Sequence, residues 1–231
     1  MKNLAIIPAR SGSKGLPDKN IIDLRGKPLM YYTIKAALNS GCFEEVMVST
    51  DSERYAEIAK IYGAKIPFFR SSKTSEDNVD SWCVVREVLE NYKKIDKEFD
   101  NIALLQPTSP LRDEDDIKNV FLMLEKKEVS SVVSVTEVEH PVQWCFSIPK
   151  NGSMKAFSLS QYIYMRRQEL DRYYRENGAI YVVNANKIMD IKYNIYADNC
   201  YAYIMPREKS IDIDEKIDLL MAKVFMEEEG I

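Results

Sequence analysis

Residues 4–17 read Leu4-Ala5-Ile6-Ile7-Pro8-Ala9-Arg10-Ser11-Gly12-Ser13-Lys14-Gly15-Leu16-Pro17: four apolar residues stop at a proline and give way to glycine, serine and cations. A short apolar run that ends this way predicts a buried strand reaching a loop. In an open α/β sheet that loop lies beyond the strand's carboxyl end, where such sheets bind ligands. Gly12 and Gly15 let the backbone approach a ligand closely, and Arg10, Lys14 and Lys19 can form charge-assisted bonds to phosphate oxygens. Neither GxGxxG nor GxxxxGKS/T is present, so a dinucleotide-binding turn and a Walker-type loop are both disfavoured. The competing reading is a solvated turn with incidental cations, and three cations with two glycines at one strand end weigh against it.

Working outward, the strand-then-helix rhythm repeats. Strands are expected at 46–49, 66–69, 102–105 and 132–135, each short and apolar or β-branched. Between and after them, apolar residues recur at helical spacing: Tyr55, Ile58, Ala59 and Tyr62; Val85, Val88, Leu89 and Tyr92; Ile117, Val120, Phe121 and Leu124; Ile217, Leu220, Met221 and Val224. This is the pattern of a parallel sheet covered on both faces, a doubly wound α/β architecture. From about 137 to 175 the rhythm breaks, and it resumes with a strand at 178–183. A stretch that long without a period predicts an inserted excursion, such as a lid or dimer arm. No repeat or linker divides the chain, so residues 1–231 are expected to form one domain with 137–175 as its excursion.

Composition narrows the chemistry. The 231 residues are 45% hydrophobic and 29% charged, a globular composition. No apolar run approaches ~18 residues and no signal peptide is recognisable, so no membrane role and a cytoplasmic address are expected. The four cysteines lie at least 41 residues apart, which excludes a local zinc knuckle. A single histidine, His140, rules out multi-histidine metal sites and leaves the chemistry to lysine, arginine and carboxylates. A net charge of −4 argues against a nucleic-acid partner, yet it hides a division. Residues 10–27 carry five cations against Asp18 and Asp23, and residues 208–231 carry eight acids against three lysines.

Three more stretches carry candidate chemistry. Asp212 and Asp214 alternate with Ile211 and Ile213, so in an extended segment both carboxylates share one face and could hold a hard cation such as Mg2+. Asp214 could equally cap the helix that follows. Gln106, Thr108 and Ser109 sit between a strand and a helix beginning near Asp113, placed either for a polyhydroxylated ligand or as plain turn chemistry with Pro107 and Pro110. Arg166, Arg167, Arg172 and Arg175 lie among tyrosines, but Glu169 and Asp171 interrupt the patch and no RNA-binding motif accompanies it. A planar guanidinium is suited to a carboxylate.

The stretch from Ile7 to Asn20 resembles the signature of the acylneuraminate cytidylyltransferases, or CMP-sialic acid synthetases. The related Kdo enzymes usually carry Arg-Leu where Lys14-Gly15 stands. LLQPTSPLR at 104–112, RENGAIY at 175–181 and SIDID at 210–214 resemble further motifs of that family in the same order. The resemblance implies a Rossmann-like, mostly parallel α/β fold, CTP as co-substrate, Mg2+, and transfer of CMP to the anomeric hydroxyl of an N-acylneuraminate with release of pyrophosphate. It implies nucleotide binding by Arg10, Ser13, Lys14, Lys19, Asn20, Arg70 and Ser81. Sugar-acid binding falls to Gln106, Thr108, Ser109, Arg167, Arg175, Asn177 and Tyr181. Arg10, Lys14, Asp212 and Asp214 become the catalytic group, the two aspartates holding the metal, and the 137–175 excursion becomes a homodimer arm. Gln143 stands near a position where relatives often have lysine, a departure in the sugar contacts. The alternatives are a legionaminic, pseudaminic or Kdo-type acceptor, or a catalytically silent nucleotide-binding relative.

Overall fold

A computed structural model describes the chain apart from Lys14, Asp77, Lys127, Glu128, Leu159, Asp198, Glu229 and Ile231. In chain order the strands are β1 (Asn3–Pro8), β2 (Asp23–Leu24), β3 (Lys27–Pro28), β4 (Glu45–Ser49), β5 (Asn101–Leu104), β6 (Ser131–Glu137), β7 (Tyr174–Asn184) and β8 (Cys200–Ile204). The helices are α1 (Leu29–Ser40), α2 (Glu53–Ile61), α3 (Ser81–Lys93), α4 (Glu114–Leu124), the one-turn α5 (Lys155–Ser158), α6 (Ala185–Met189) and α7 (Lys216–Glu228).

Among the described residues the main sheet has the order β4-β1-β5-β7-β6-β8, and β2 and β3 form a separate small hairpin. Neighbouring strands are parallel except at β7, which runs antiparallel to both β5 and β6. The sheet is thus the mostly parallel, Rossmann-like one expected. The reversal at β7 has a local cause. Among the described residues no crossover helix follows β6; the irregular 138–173 segment leaves at Glu137 and returns at Tyr174, its pairing partner, so the chain comes back alongside β6.

Alternation along the strands gives the sheet two buried faces. Ala5, Ile7, Val46 and Val48 pack under α1, α2 and α4, through Ile34, Ala59, Ile117 and Val120 among others. Leu4, Ile6, Ile102 and Leu104 pack under α3 and α6, through Val85, Val88, Leu89 and Ile188. α7 lies apart, covering Leu24, Leu29, Leu111 and Ile213 with Leu219, Ala222 and Met226.

One expectation is corrected. Residues 66–69 form no strand; the chain makes only an isolated bridge between Met47 and Lys65. Pro67 has no N–H to give a ladder, which accounts for the break. Helix α1, the edge strand β8 and the hairpin β2–β3 had no strong periodic signal and were not anticipated. Among the described residues between β6 and β7, regular secondary structure is limited to short turns at Val142–Trp144, Lys155–Ser158 and Arg167–Glu169. No helix among the described residues is long and apolar enough to cross a membrane, and all four cysteines are free thiols.

Candidate active site

Beyond the carboxyl ends of β1, β4 and β5 lies a cavity of about 500 Å³. Its walls come from four parts of the chain: Pro8, Arg10, Ser13, Gly15, Lys19 and Asn20; Arg70 and Ser81; Gln106, Pro107 and Thr108; and Asp212, Asp214 and Glu215. Ten residues singled out from the sequence therefore share one space.

The loop after β1 is held by contacts to the rest of the fold. Ser11 donates from both its backbone N–H (2.7 Å) and its hydroxyl (3.1 Å) to the Asp51 carboxylate, beyond β4. Arg10 Nη1 donates to Ser75 O at 3.1 Å, and the buried Asn20 amide donates to Arg10 O at 3.0 Å. Asp18 adopts φ 52°, a left-handed conformation uncommon outside glycine, and accepts from Tyr55 Oη (2.9 Å) and Arg54 Nη1 (3.2 Å). Outliers of this kind persist where surrounding contacts over-determine the backbone. Gly15 shows a different constraint: a Cβ there would sit 2.8 Å from Asp214 O, so only glycine lets this loop lie against the Asp212–Asp214 segment.

The acidic side comes from that extended segment. Ile213 is fully buried and its N–H donates to Thr108 O at 2.8 Å, while Asp212 and Asp214 both line the cavity, as the alternation predicted. Burial raises the Asp212 carboxyl; a hydrogen bond from Thr108 works against this and the Asp214 charge adds to it. Asp212 Oδ1 is buried without a hydrogen-bond partner, an oxygen placed for a cation. Asp214 accepts from Lys19 Nζ at 2.7 Å. The start of α7 is capped instead by Asp218, whose carboxylate accepts from the backbone N–H groups of Asp214 (3.0 Å) and Glu215 (2.7 Å). No group of three or more His, Cys, Asp or Glu that could hold a metal exists among the described residues. Two carboxylates suffice for Mg2+, which keeps waters and phosphate oxygens as its other ligands.

β7 closes the remaining side. Ser134 on β6 stands opposite four residues of β7, Asn177 to Ile180, between the pairs Val133–Tyr181 and Val135–Glu176. Ser134 Oγ donates to Asn177 Oδ1 (2.6 Å) and accepts from Ile180 N–H (2.7 Å), satisfying the displaced backbone. Gly178 lies in this bulge at φ 73°; a Cβ there would be 2.9 Å from Gln106 Oε1 and 3.6 Å from Asp212 Oδ2. Arg112 is buried beneath and donates from Nη1 to Ala179 O (2.9 Å) and Gln106 O (3.3 Å), joining the bulge to the Gln106 loop. Burial pulls its guanidinium down to about 10, so it stays cationic at neutral pH. Its Nε and Nη2 have no partner.

Not every residue selected from the sequence faces the cavity. Ser109 is fully buried and donates to Asn177 O at 3.5 Å; Asn177, 1% exposed, donates to Ser210 Oγ at 2.9 Å. Both hold the site from behind. Tyr181 is largely buried and donates to Glu176 Oε2 at 2.9 Å, which together with burial raises its phenol. Arg175 is exposed and donates to Glu176 O. Arg167 lines a separate cavity of about 290 Å³ in the excursion, 4.0 Å from Glu137. Arg70 lies at the cavity, but not as a strand end: its N–H donates to Thr50 O and its guanidinium to Thr74 O, and burial lowers its pKa. Lys14 lies outside the described residues. The sequence reading missed Asp51, which follows β4 at the same sheet edge, and Glu215, which adjoins the Asp212–Asp214 pair.

The chain is similar over nearly its whole length to known proteins. The sequence profile of a family described as cytidylyltransferase matches residues 4–229. The chain is 37% identical over 224 residues to the pseudaminic acid cytidylyltransferase of Campylobacter jejuni subsp. jejuni serotype O:2, covering 97% of this chain and 96% of that one. It is 39% identical to the CMP-N,N'-diacetyllegionaminic acid synthase of Legionella pneumophila subsp. pneumophila, covering 98% and 97%. With the N-acylneuraminate cytidylyltransferase of Escherichia coli O18:K1:H7 it shares 39% identity, over 96% of this chain and 51% of that one. Among solved structures, CMP:2-keto-3-deoxy-manno-octonic acid synthetase complexed with CTP superposes with a TM-score of 0.73 at 19% identity, covering 99% and 100%, which is likeness of fold.

Proposed function

The chain belongs to the cytidylyltransferase family, and on that premise we propose that it transfers CMP from CTP to the anomeric hydroxyl of a nine-carbon keto sugar acid, releasing pyrophosphate. The carrying observation is the cavity, where Arg10 and Lys19 share walls with the buried, unpartnered carboxylate oxygen of Asp212. Cations suited to a triphosphate and oxygens suited to the metal that accompanies it stand around one space.

In this reading Arg10 and Lys19, with Lys14 by resemblance, hold and neutralise the phosphates, and Ser13 and Asn20 shape the loop around them. Arg70 and Ser81 take the nucleoside. Gln106 and Thr108 meet the acceptor, with Ser109, Asn177 and Tyr181 fixing the wall behind them. Asp212 and Asp214 would hold Mg2+, which when bound supplies charge neutralisation at the phosphates and acidifies a sugar hydroxyl. The chain's own part is alignment and charge, as in other phosphoryl transfers, with no histidine base required. Arg167 and Arg175 are exposed and outside the cavity. We assign them to a sugar-acid carboxylate at the site of a second copy, reached through the 137–175 arm of a homodimer.

The relatives named for pseudaminic, legionaminic and N-acylneuraminic acids stand at near-equal identity, so they support the class of acceptor and leave its member open, including the sialic acid that the loop resemblance suggests. A panel of these acids and a Kdo-type acid, with CTP and with Mg2+ present or withheld, tests the proposal by pyrophosphate release. Release with one nine-carbon acid, dependent on Mg2+, is the expected result. No release with any acid overturns it.

A further inference from the structure

Glu176 has no part in the reading above, yet it stands at a decisive place. It is the last paired residue before the bulge of β7, and Tyr181 is the first after it. The hydrogen bond from Tyr181 Oη to Glu176 Oε2, 2.9 Å, therefore ties the two ends of the bulge together. Tyr196, from the connection between α6 and β8, faces the same carboxylate; burial first, and Glu176 beside it, push its phenol up to about 12. The bulge carries Gly178, which packs on Gln106 and Asp212. The Tyr181 ring meets Trp82 edge-on at 6.0 Å, next to Ser81 on the cavity wall. One carboxylate thus gathers two phenols around the segment that backs the acceptor side of the site.

We propose that Glu176 is a positioning residue for the acceptor: by holding Tyr181 and Tyr196 it fixes the bulge, and through Gly178 it fixes Gln106, in the arrangement the sugar acid meets. The inference rests on the cytidylyl-transfer reading. Among the described residues the hydrogen bonds of Glu176 run to Arg175 and Tyr181 and not to the loops assigned to CTP, so the effect should fall on one substrate. A glutamine can still accept a phenol through its amide oxygen, whereas alanine cannot.

Steady-state kinetics of Glu176→Ala, Glu176→Gln, Tyr181→Phe and the double variant Glu176→Ala/Tyr181→Phe, with each substrate varied in turn, test this. Glu176→Ala should raise KM for the sugar acid about fivefold to tenfold, the scale of a lost hydrogen bond or two, with KM for CTP unchanged. Glu176→Gln should recover most of the loss, and the double variant should be little worse than Glu176→Ala alone, because both remove one interaction. An unchanged sugar-acid KM overturns the inference, as do fully additive penalties or a uniform loss in both KM values, kcat and Tm. Wild type without turnover of any acid sinks the functional reading itself; an active wild type with an unaltered Glu176→Ala variant sinks only this inference.

Discussion

The cavity at the sheet edge and the 137–175 excursion are both rich in cations, and they hold them differently. Arg10 and Arg70 donate to the carbonyls of Ser75 and Thr74, and Lys19 to Asp214, while the Arg70 backbone N–H is itself tied to Thr50 O just past β4. Among the described residues Arg167 and Arg172 share the ion-pair partner Glu137, at 4.0 and 3.6 Å, with side chains 58% and 75% exposed. The first set is ordered before any ligand arrives, so little entropy is left to lose on binding. The second set is held more loosely, and in the proposed reading a second copy would order it. Cation content alone does not mark a site; the rigidity of the backbone that carries the cations does.

The largest expected effect breaks the cavity itself. Asp212→Asn should lower turnover about 10²- to 10³-fold with the circular dichroism of the fold intact, the scale of losing one electrostatic contact to a transition state. Near-normal turnover, or an unchanged response to Mg2+, would remove Asp212 from the metal site. Gly15→Ala comes next. Its Cβ would meet the backbone oxygen of Asp214 at 2.8 Å, so loop and acidic segment must part. The cost should be about 1–3 kcal/mol of stability, read from denaturant midpoints, and at least about tenfold in kcat/KM. In the excursion the same measurements should come out nearly silent for stability. Arg167→Ala should leave the midpoint within about 0.5 kcal/mol, because exposed ion pairs contribute little. Its effect should appear only as a higher KM for the sugar acid in a chain that sediments as a dimer.

How far the sequence was legible follows the same division. The loop 8–20, the Gln106 loop and the Asp212–Asp214 segment were found because each couples a local pattern to a sheet edge, and Arg10, Ser13, Lys19, Asn20, Gln106, Thr108, Asp212 and Asp214 from them line the cavity. Ser109 and Asn177 lay in the right motifs but face inward, since a motif marks a neighbourhood and only packing decides which side chain turns toward the ligand. Strand β8 was missed because it lies at the sheet edge, where Tyr201 and Ile204 are half exposed and Tyr203 is partly buried, so no clean alternation survives. The antiparallel course of β7 depends on where an aperiodic excursion returns, which no local pattern encodes. Glu176 was visible only as part of a motif; its two phenols come from positions 5 and 20 residues away.

The smallest expected effect concerns the same Asp212 with no ligand bound. Burial raises its carboxyl above the ordinary aspartate value, so the native state binds this proton more tightly than the unfolded chain does. The stability linked to that proton is fully present below the unfolded pKa of about 3.9 and is lost as pH rises through the folded value. At pH 7 without Mg2+ the ionised, partly unpartnered carboxylate is therefore a cost to the fold. Asp212→Asn should melt at a slightly higher temperature than wild type in EDTA at pH 7, and the gap should close as pH falls into the carboxylate range. Adding Mg2+ with CTP should reverse the order, because a ligand that binds only the native wild type stabilises it by mass action. A wild type already the more stable of the two in EDTA at pH 7 would mean that this corner satisfies its own charge, and the contrast between a prepared cavity and a loose excursion would lose its sharpest term.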